Sequence, residues 1–200
     1  RERLRVIREH GIRDIRLLDR TFNGSSGRAI RLLELFREFA PGMRFHLEIH
    51  PALLSDEVKA LLRELPAGLL HLEAGIQSLN EEVLQACRRV GDLQAALEGL
   101  RYLAALPNLV VHADLIAGLP LYSLRQMIED VRVLSSFGTG EIQLELLKLL
   151  PGTAMRAEAG KSGIVYSPDV PYEVLRTPAM SVEDLRQVRL LSRLIDGFYN

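Results

Sequence analysis

Residues 43–78, MRFHLEIHPALLSDEVKALLRELPAGLLHLEAGIQS, contain one full period of the pattern that decides the fold. Met43 to Ile49 reads as a strand that ends at Glu48, His50 and Pro51. Ser55 then stands as a cap, with Asp56 and Glu57 in the acidic first turn of a helix over 56–65. Pro66 and Gly68 break that helix, and Leu69 to Ile76 forms the next strand, which ends in Gln77-Ser78.

The same alternation extends in both directions. Upstream, a helix pattern with Leu4, Val6 and Ile7 as its apolar stripe stops at Gly11. A strand through Ile12, Ile15, Leu17 and Leu18 follows and ends at Asp19. A polar, glycine-rich loop over 21–27 leads into a helix over 28–39, and Pro41-Gly42 turns the chain. Downstream, Asn80 caps a helix with Glu81 and Glu82 in its first turn, Gly91 interrupts it, and residues 93–105 resume. A strand from Leu109 to Ile116, a helix over 123–136 and a strand from Ile142 to Leu150 complete the series, with Gly118-Leu119-Pro120 after the first of these strands.

Near-continuous apolar strands separated by helices, at a period of roughly 30 residues, predict a parallel sheet with right-handed crossovers. Periodicity alone leaves two forms open, an open doubly wound sheet and an arc of a (β/α) barrel. Residues 1–150 carry the repeat, and 151–200 read as a C-terminal extension in which Ser181, Glu183 and Asp184 start a last helix toward Phe198 that packs on the core.

With 200 residues, 48% hydrophobic and 26% charged, the composition suits one globular core. The net charge of −1, with Lys and Arg scattered along the helices, argues against a nucleic-acid partner. Cys87 is the only cysteine, so neither an internal disulfide nor a multi-thiolate metal site is available, and a reducing cytoplasm is expected. No apolar run reaches the roughly 18 residues of a membrane span. The opening at Arg1, already inside a helix pattern, suggests an excised fragment.

In parallel α/β folds ligands bind beyond the carboxyl ends of the strands, where the loops converge. The polar residues at those ends are Asp19 and Thr21, Glu48 and His50, Glu73 with Gln77 and Ser78, Asp114 with Gly118, and Glu145 with Lys148. Carboxylates and an amide on one rim suit a ligand with hydroxyls and an amine, such as a ribose or an α-ammonium group. Arg88 and Arg89 are equally placed to turn toward the rim. No second His or Cys stands near His50 at ligand spacing, so no metal site is expected, and His10, His46, His71 and His112 read as packed or solvent-facing. Cys87 reads as an inert thiol.

Four segments together, Leu-Leu-Asp-Arg-Thr-Phe-Asn (17–23), Leu-Glu-Ile-His-Pro (47–51), Leu-Glu-Ala-Gly-Ile-Gln-Ser (72–78) and Asp-Leu-Ile-Ala-Gly-Leu-Pro (114–120), resemble the barrel strands of radical S-adenosylmethionine (SAM) enzymes in order and spacing. Residues 147–153 (LKLLPGT) and 171–175 (PYEVL) add to a likeness with members that carry an N-terminal cobalamin-binding domain.

The resemblance implies a partial (β/α) barrel of parallel strands, truncated at its N-terminus. It also implies that Glu48, Gln77, Ser78, Arg89 and Asp114 contact SAM, that Ile116 to Gly118 lie against adenine, and that Asp19, Thr21 and Glu73 face the cluster or substrate side. The cofactors it implies are SAM, a 4Fe-4S cluster and, where a cobalamin domain precedes, cobalamin; an external electron donor and a small-molecule substrate complete the set. The CxxxCxxC cluster loop has no counterpart here and is expected upstream of Arg1, so the fragment alone is expected to be inactive. Two other readings rest on weaker features. One is a cluster-free barrel enzyme using the Gly24 to Gly27 loop for a phosphorylated metabolite; the other is a degenerate barrel serving as an interaction module.

Overall fold

Alternating strands and helices follow the chain from end to end in the computed structural model, which describes residues 1–200. The order is α1 (Glu2–Glu9), β1 (Asp14–Arg16), α2 (Ser26–Arg37), β2 (Arg44–Ile49), a 3-10 turn at Pro51–Leu53, α3 (Asp56–Glu64), β3 (Leu70–Gln77), α4 (Glu81–Ala86), α5 (Leu93–Ala104), β4 (Val110–Ala117), α6 (Leu124–Ser135) and β5 (Glu141–Leu146). Then come α7 (Ala154–Glu158), β6 (Val165–Tyr166), β7 (Val174–Arg176) and α8 (Val182–Phe198). The first five strands form one sheet in sequence order, and β1, β2 and β3 pair in parallel.

The caps explain where the helices begin. Ser55 accepts from the Val58 amide, Asn80 from the amides of Glu82 and Val83, and Asp92 from that of Ala95. Ser123 with Gln126, and Ser181 with Asp184, form reciprocal capping boxes at the starts of α6 and α8.

Two compact units make up the chain, one of residues 1–75, 92–113 and 137–141, the other of 76–91, 114–136 and 142–200. In the first, the Phe36 ring stacks on Phe45 at 4.0 Å and on Phe22 at 6.3 Å, and these three rings join Leu33, Leu47 and Leu62 in the core. Gly99 of α5 lies so close to the turn at Pro51 that a Cβ there would stand 2.2 Å from the Pro51 carbonyl oxygen. In the second, α8 packs on α6 and on β7 and contributes Leu185, Val188 and Ile195 to the core. The side chain of Asn200 bonds both the amide (2.8 Å) and the carbonyl (3.0 Å) of Ile142.

Several sequence expectations need correction. The strands are not continuously apolar. In β2 the buried Phe45, Leu47 and Ile49 alternate with Arg44, His46 and Glu48; in β3 Leu70, Leu72, Ala74 and Ile76 alternate with His71, Glu73, Gly75 and Gln77. Each strand therefore has one apolar side and one polar side, a period-2 pattern. The first strand is only three residues long. Leu17 still donates to the His46 carbonyl at 3.0 Å, but Leu18 leaves the sheet and is 95% exposed. In α1 no residue is buried and Val6 is largely exposed, so its apolar stripe is weak. The fifth strand stops at Leu146; the Leu147 amide still bonds Ala117 at the end of β4, while its carbonyl accepts from the Val174 amide. Strands β6 and β7, an antiparallel pair, were not foreseen; two and three residues are too short to show a period.

Candidate functional site

In the first unit the Asp19 to Asn23 segment is fastened to the carboxyl end of β2. Phe22 is buried and its amide donates to the Glu48 carbonyl at 2.8 Å. The buried Asn23 amide side chain donates to the His50 carbonyl and accepts from the His50 amide, both at 2.9 Å. Sequence reasoning passed over Asn23, whose paired contact with His50 depends on a neighbour 27 residues away. Asp19 receives the Arg28 guanidinium, and that hydrogen bond holds its carboxyl below the usual range. The Thr21 amide also leans on Asp19, at 3.4 Å. Asp19 and Thr21 thus shape the loop.

Glu48 and Glu73 are register partners across β2 and β3. Arg16 of β1 reaches Glu73 at 2.7 Å, whereas the Glu48 carboxylate is exposed and makes no ion pair. An unpaired strand-end carboxylate beside a neutralised one is a ready acceptor for an ammonium or hydroxyl ligand.

In the second unit Gln77 combines two unusual features. Its backbone is left-handed, with φ 73°, and its buried side-chain oxygen Oε1 has no hydrogen-bond partner. Left-handed backbone at a residue other than glycine, together with an unsatisfied buried amide, sets this position apart from its neighbours in the strand. Ser78, next to it, is fully buried. Its hydroxyl donates to Asp130 at 3.2 Å and accepts from the Asn80 amide at 3.1 Å, so it is spent on structure. Asp130 also accepts from the Leu79 amide at 2.8 Å and from the Tyr122 hydroxyl. Burial raises the Asp130 carboxyl above its usual range and pushes the Tyr122 phenol well up.

The two arginines differ in their charged neighbours. Arg88 is exposed and forms a two-pronged pair with Glu158 at 2.8 and 3.0 Å. Arg89 is also exposed as a residue, but partial burial lowers its pKa and the charge of Asp114, in the middle of β4, acts against that. Gly118 follows with φ 82°, and Val174 sits over it, so that a Cβ there would come within 3.3 Å of that side chain. Ile116 is half-buried between Leu115 and Ala117, which are fully buried. Cys87, at the end of α4, is partly buried, and burial raises its thiol pKa, as expected of an inert thiol.

The histidines do more than pack. The His46 and His71 rings stack at 4.6 Å, His112 follows at 5.9 Å, and Glu141 lies 3.7 Å from both His71 and His112. No local spacing reveals this row, because its members come from four different strands.

The sequence profile of the radical SAM superfamily matches residues 1–134. The chain belongs to that superfamily. A second profile, described as a protein of unknown function (DUF4080), matches residues 160–200 of this radical SAM chain.

Among curated proteins the chain is similar to tRNA-2-methylthio-N(6)-dimethylallyladenosine synthase. It is 30% identical over 122 residues to the Acinetobacter baylyi enzyme, covering 56% of this chain and 25% of that protein. It is 33% identical over 122 residues to the Erythrobacter litoralis enzyme, covering 56% and 27%. The chain thus spans about a quarter of the length of these relatives.

Among solved structures it resembles the radical SAM methyltransferase TsrM from Kitasatospora setae, with a TM-score of 0.67, 16% identity and coverage of 88% of this chain and 36% of that one. It also resembles coproporphyrinogen III oxidase from Escherichia coli, with a TM-score of 0.58, 19% identity and coverage of 84% and 37%. These likenesses decide between the two forms that periodicity left open. The fold is the α/β partial barrel of radical SAM proteins.

The donor set of these 200 residues can be tested against the cofactors of the superfamily. Three thiolates are needed for a 4Fe-4S cluster, and Cys87 alone, with its raised pKa, does not fit that role. SAM fits better, since the orphaned Gln77 oxygen can accept from an amine and the carboxylate of Asp114 from ribose hydroxyls. No helix is long and apolar enough to cross a membrane.

Proposed function

We propose that this chain provides the SAM-binding strands of a radical SAM enzyme, with Gln77, Arg89 and Asp114 as its polar contacts and the Ile116 to Gly118 segment against the adenine. The observation that carries this reading is Gln77, a strained residue at the end of a strand with a buried amide oxygen left unpaired. In this reading Gln77 takes the amino-acid half of SAM, Asp114 accepts from the ribose, and Arg89 adds a positive charge beside them. Glu73, balanced by Arg16, faces the substrate side.

Reductive cleavage of SAM in the parent enzyme requires a cluster held by residues outside these 200, so the chain alone is inactive. We further propose methyl or methylthio transfer as the parent reaction. Support comes from the likeness to tRNA methylthiotransferases and to TsrM, which has been solved with cobalamin and a 4Fe-4S cluster bound. The scattered charge of this chain suits a small-molecule substrate; a tRNA substrate would draw its phosphate contacts from elsewhere in the parent.

The test is made on the full-length, cluster-reconstituted parent, by measuring SAM affinity and 5′-deoxyadenosine formation. Replacing Gln77 by Ala or Asp114 by Asn is expected to weaken SAM binding about tenfold or more, in line with the loss of a hydrogen bond to a charged group. Arg88→Ala is expected to leave it unchanged. Unaltered SAM affinity in both the Gln77 and the Asp114 variants would overturn the reading.

A further inference from the structure

We propose that His71, His112 and Glu141 form a binding site for a divalent first-row transition cation, separate from the SAM contacts and independent of the function proposed above. The three residues come from the amino ends of β3, β4 and β5, opposite in direction to the strand ends where ligands of this fold sit. Two imidazoles and one carboxylate are the ligand set that nitrogen- and oxygen-preferring cations such as Zn2+, Co2+ and Fe2+ take up, with the remaining positions left to water.

The distances favour a shared cation over direct bonding. His71 Nε2 and His112 Nδ1 each lie 3.7 Å from the same Glu141 oxygen, and the three ligand atoms fall within 4.8 Å of one another. A separation of 3.7 Å is too long for a hydrogen bond. Ligand atoms that each bind one cation at about 2.1 Å can stand up to about 4.2 Å apart, so small side-chain rotations complete the geometry.

Burial and orientation agree with this. His71 Nε2 is buried without a hydrogen-bond partner, an unfavourable state that coordination would relieve. The His46 ring stacked on His71 fixes the ring plane from the other side. Glu141 is about one-third exposed, which gives a cation a route of entry.

The experiment is titration of the metal-stripped chain with Co2+, followed by visible d–d absorption, and with Zn2+, followed by calorimetry. One equivalent is expected to bind, with d–d bands of a nitrogen- and oxygen-ligated Co2+ and a rise in melting temperature. Glu141→Gln, which keeps the side-chain volume, and His71→Ala are each expected to weaken binding about tenfold or more. His10→Ala, on exposed α1, is expected to leave it unchanged. Circular dichroism of each variant separates lost binding from lost folding. Absence of saturable binding by the folded wild-type chain would overturn the proposal. So would bands that survive in both the Glu141 and the His71 variants, or thiolate charge-transfer bands that assign the cation to Cys87.

Discussion

Glu48 and Glu73 stand side by side in the β2–β3 register, and Arg16 neutralises only Glu73, at 2.7 Å. Because the Arg16 side chain is well exposed, at 62%, this pair is screened by solvent despite the burial of its carboxylate. A double-mutant cycle of Arg16→Met and Glu73→Gln, read by urea unfolding, should give a coupling of about 0.5–1 kcal/mol that shrinks as salt is added. A coupling of several kcal/mol would show that the pair acts as a dry ion pair.

Gly99 offers a prediction whose sign is opposite to propensity. In an exposed helix interior, Gly→Ala gains about 1 kcal/mol. Here the new methyl would meet the Pro51 carbonyl oxygen at 2.2 Å, and backbone cannot rotate away as a side chain can. Gly99→Ala should therefore destabilise the protein by about 1–3 kcal/mol, the range found for overpacked cores. Chemical denaturation measures it, and an unchanged or raised midpoint would contradict the close approach of α5 to the Pro51 turn.

Asp130 makes stability depend on pH. Its folded-state pKa is raised by burial, so the folded form binds its proton more tightly than the unfolded chain does. The stability it contributes is complete below the ordinary carboxylate pKa and is lost as pH rises through the folded value. Asp130→Asn cannot titrate, so the stability difference between wild type and variant should move in favour of the variant as pH rises from about 4 toward neutrality. Urea unfolding across that range checks the direction; a difference constant with pH would mean that the three donors around Asp130 balance its desolvation, and one that moved the other way that they outweigh it.

Asn23 ties the loop after β1 to the end of β2 through two backbone contacts with His50, and it is almost fully buried. Asn23→Ala leaves a buried amide and carbonyl without these partners, and should cost about 2–4 kcal/mol. Protonated at acidic pH, the Asp of Asn23→Asp has one hydroxyl donor and one carbonyl acceptor, so there it should fall between wild type and Ala. Thermal melts of the three proteins order them.

Much of the architecture was legible because it depends on neighbours in sequence. Ser55, Asn80, Ser123 and Ser181 each accept a hydrogen bond from amides two or three residues ahead, so the helix starts are local chemistry. Strand boundaries were read less well. Leu18 and the 147–150 segment are apolar enough to continue a strand, yet whether they do depends on which backbone groups lie opposite, and Leu147 bonds to Ala117 and Val174 instead. The candidate site was legible as a set of strand-end residues; which members bear function was not. That Ser78 bonds Asp130 and Asp19 meets Arg28 was not legible, because each partner is brought there by the fold.

By itself the sequence determined the order of strands and helices, the caps, the single thiol, and the four motifs that place the chain among radical SAM proteins, since each is written in residue types at short spacing. Tertiary structure alone decided that Arg88 pairs with Glu158, that Gln77 is strained with its amide oxygen unpaired, and that His71, His112 and Glu141 come together. The physical reason is that pairing neighbouring strands brings distant residues within a few ångströms, and the charge, burial and hydrogen bonding of a side chain are set by what stands there.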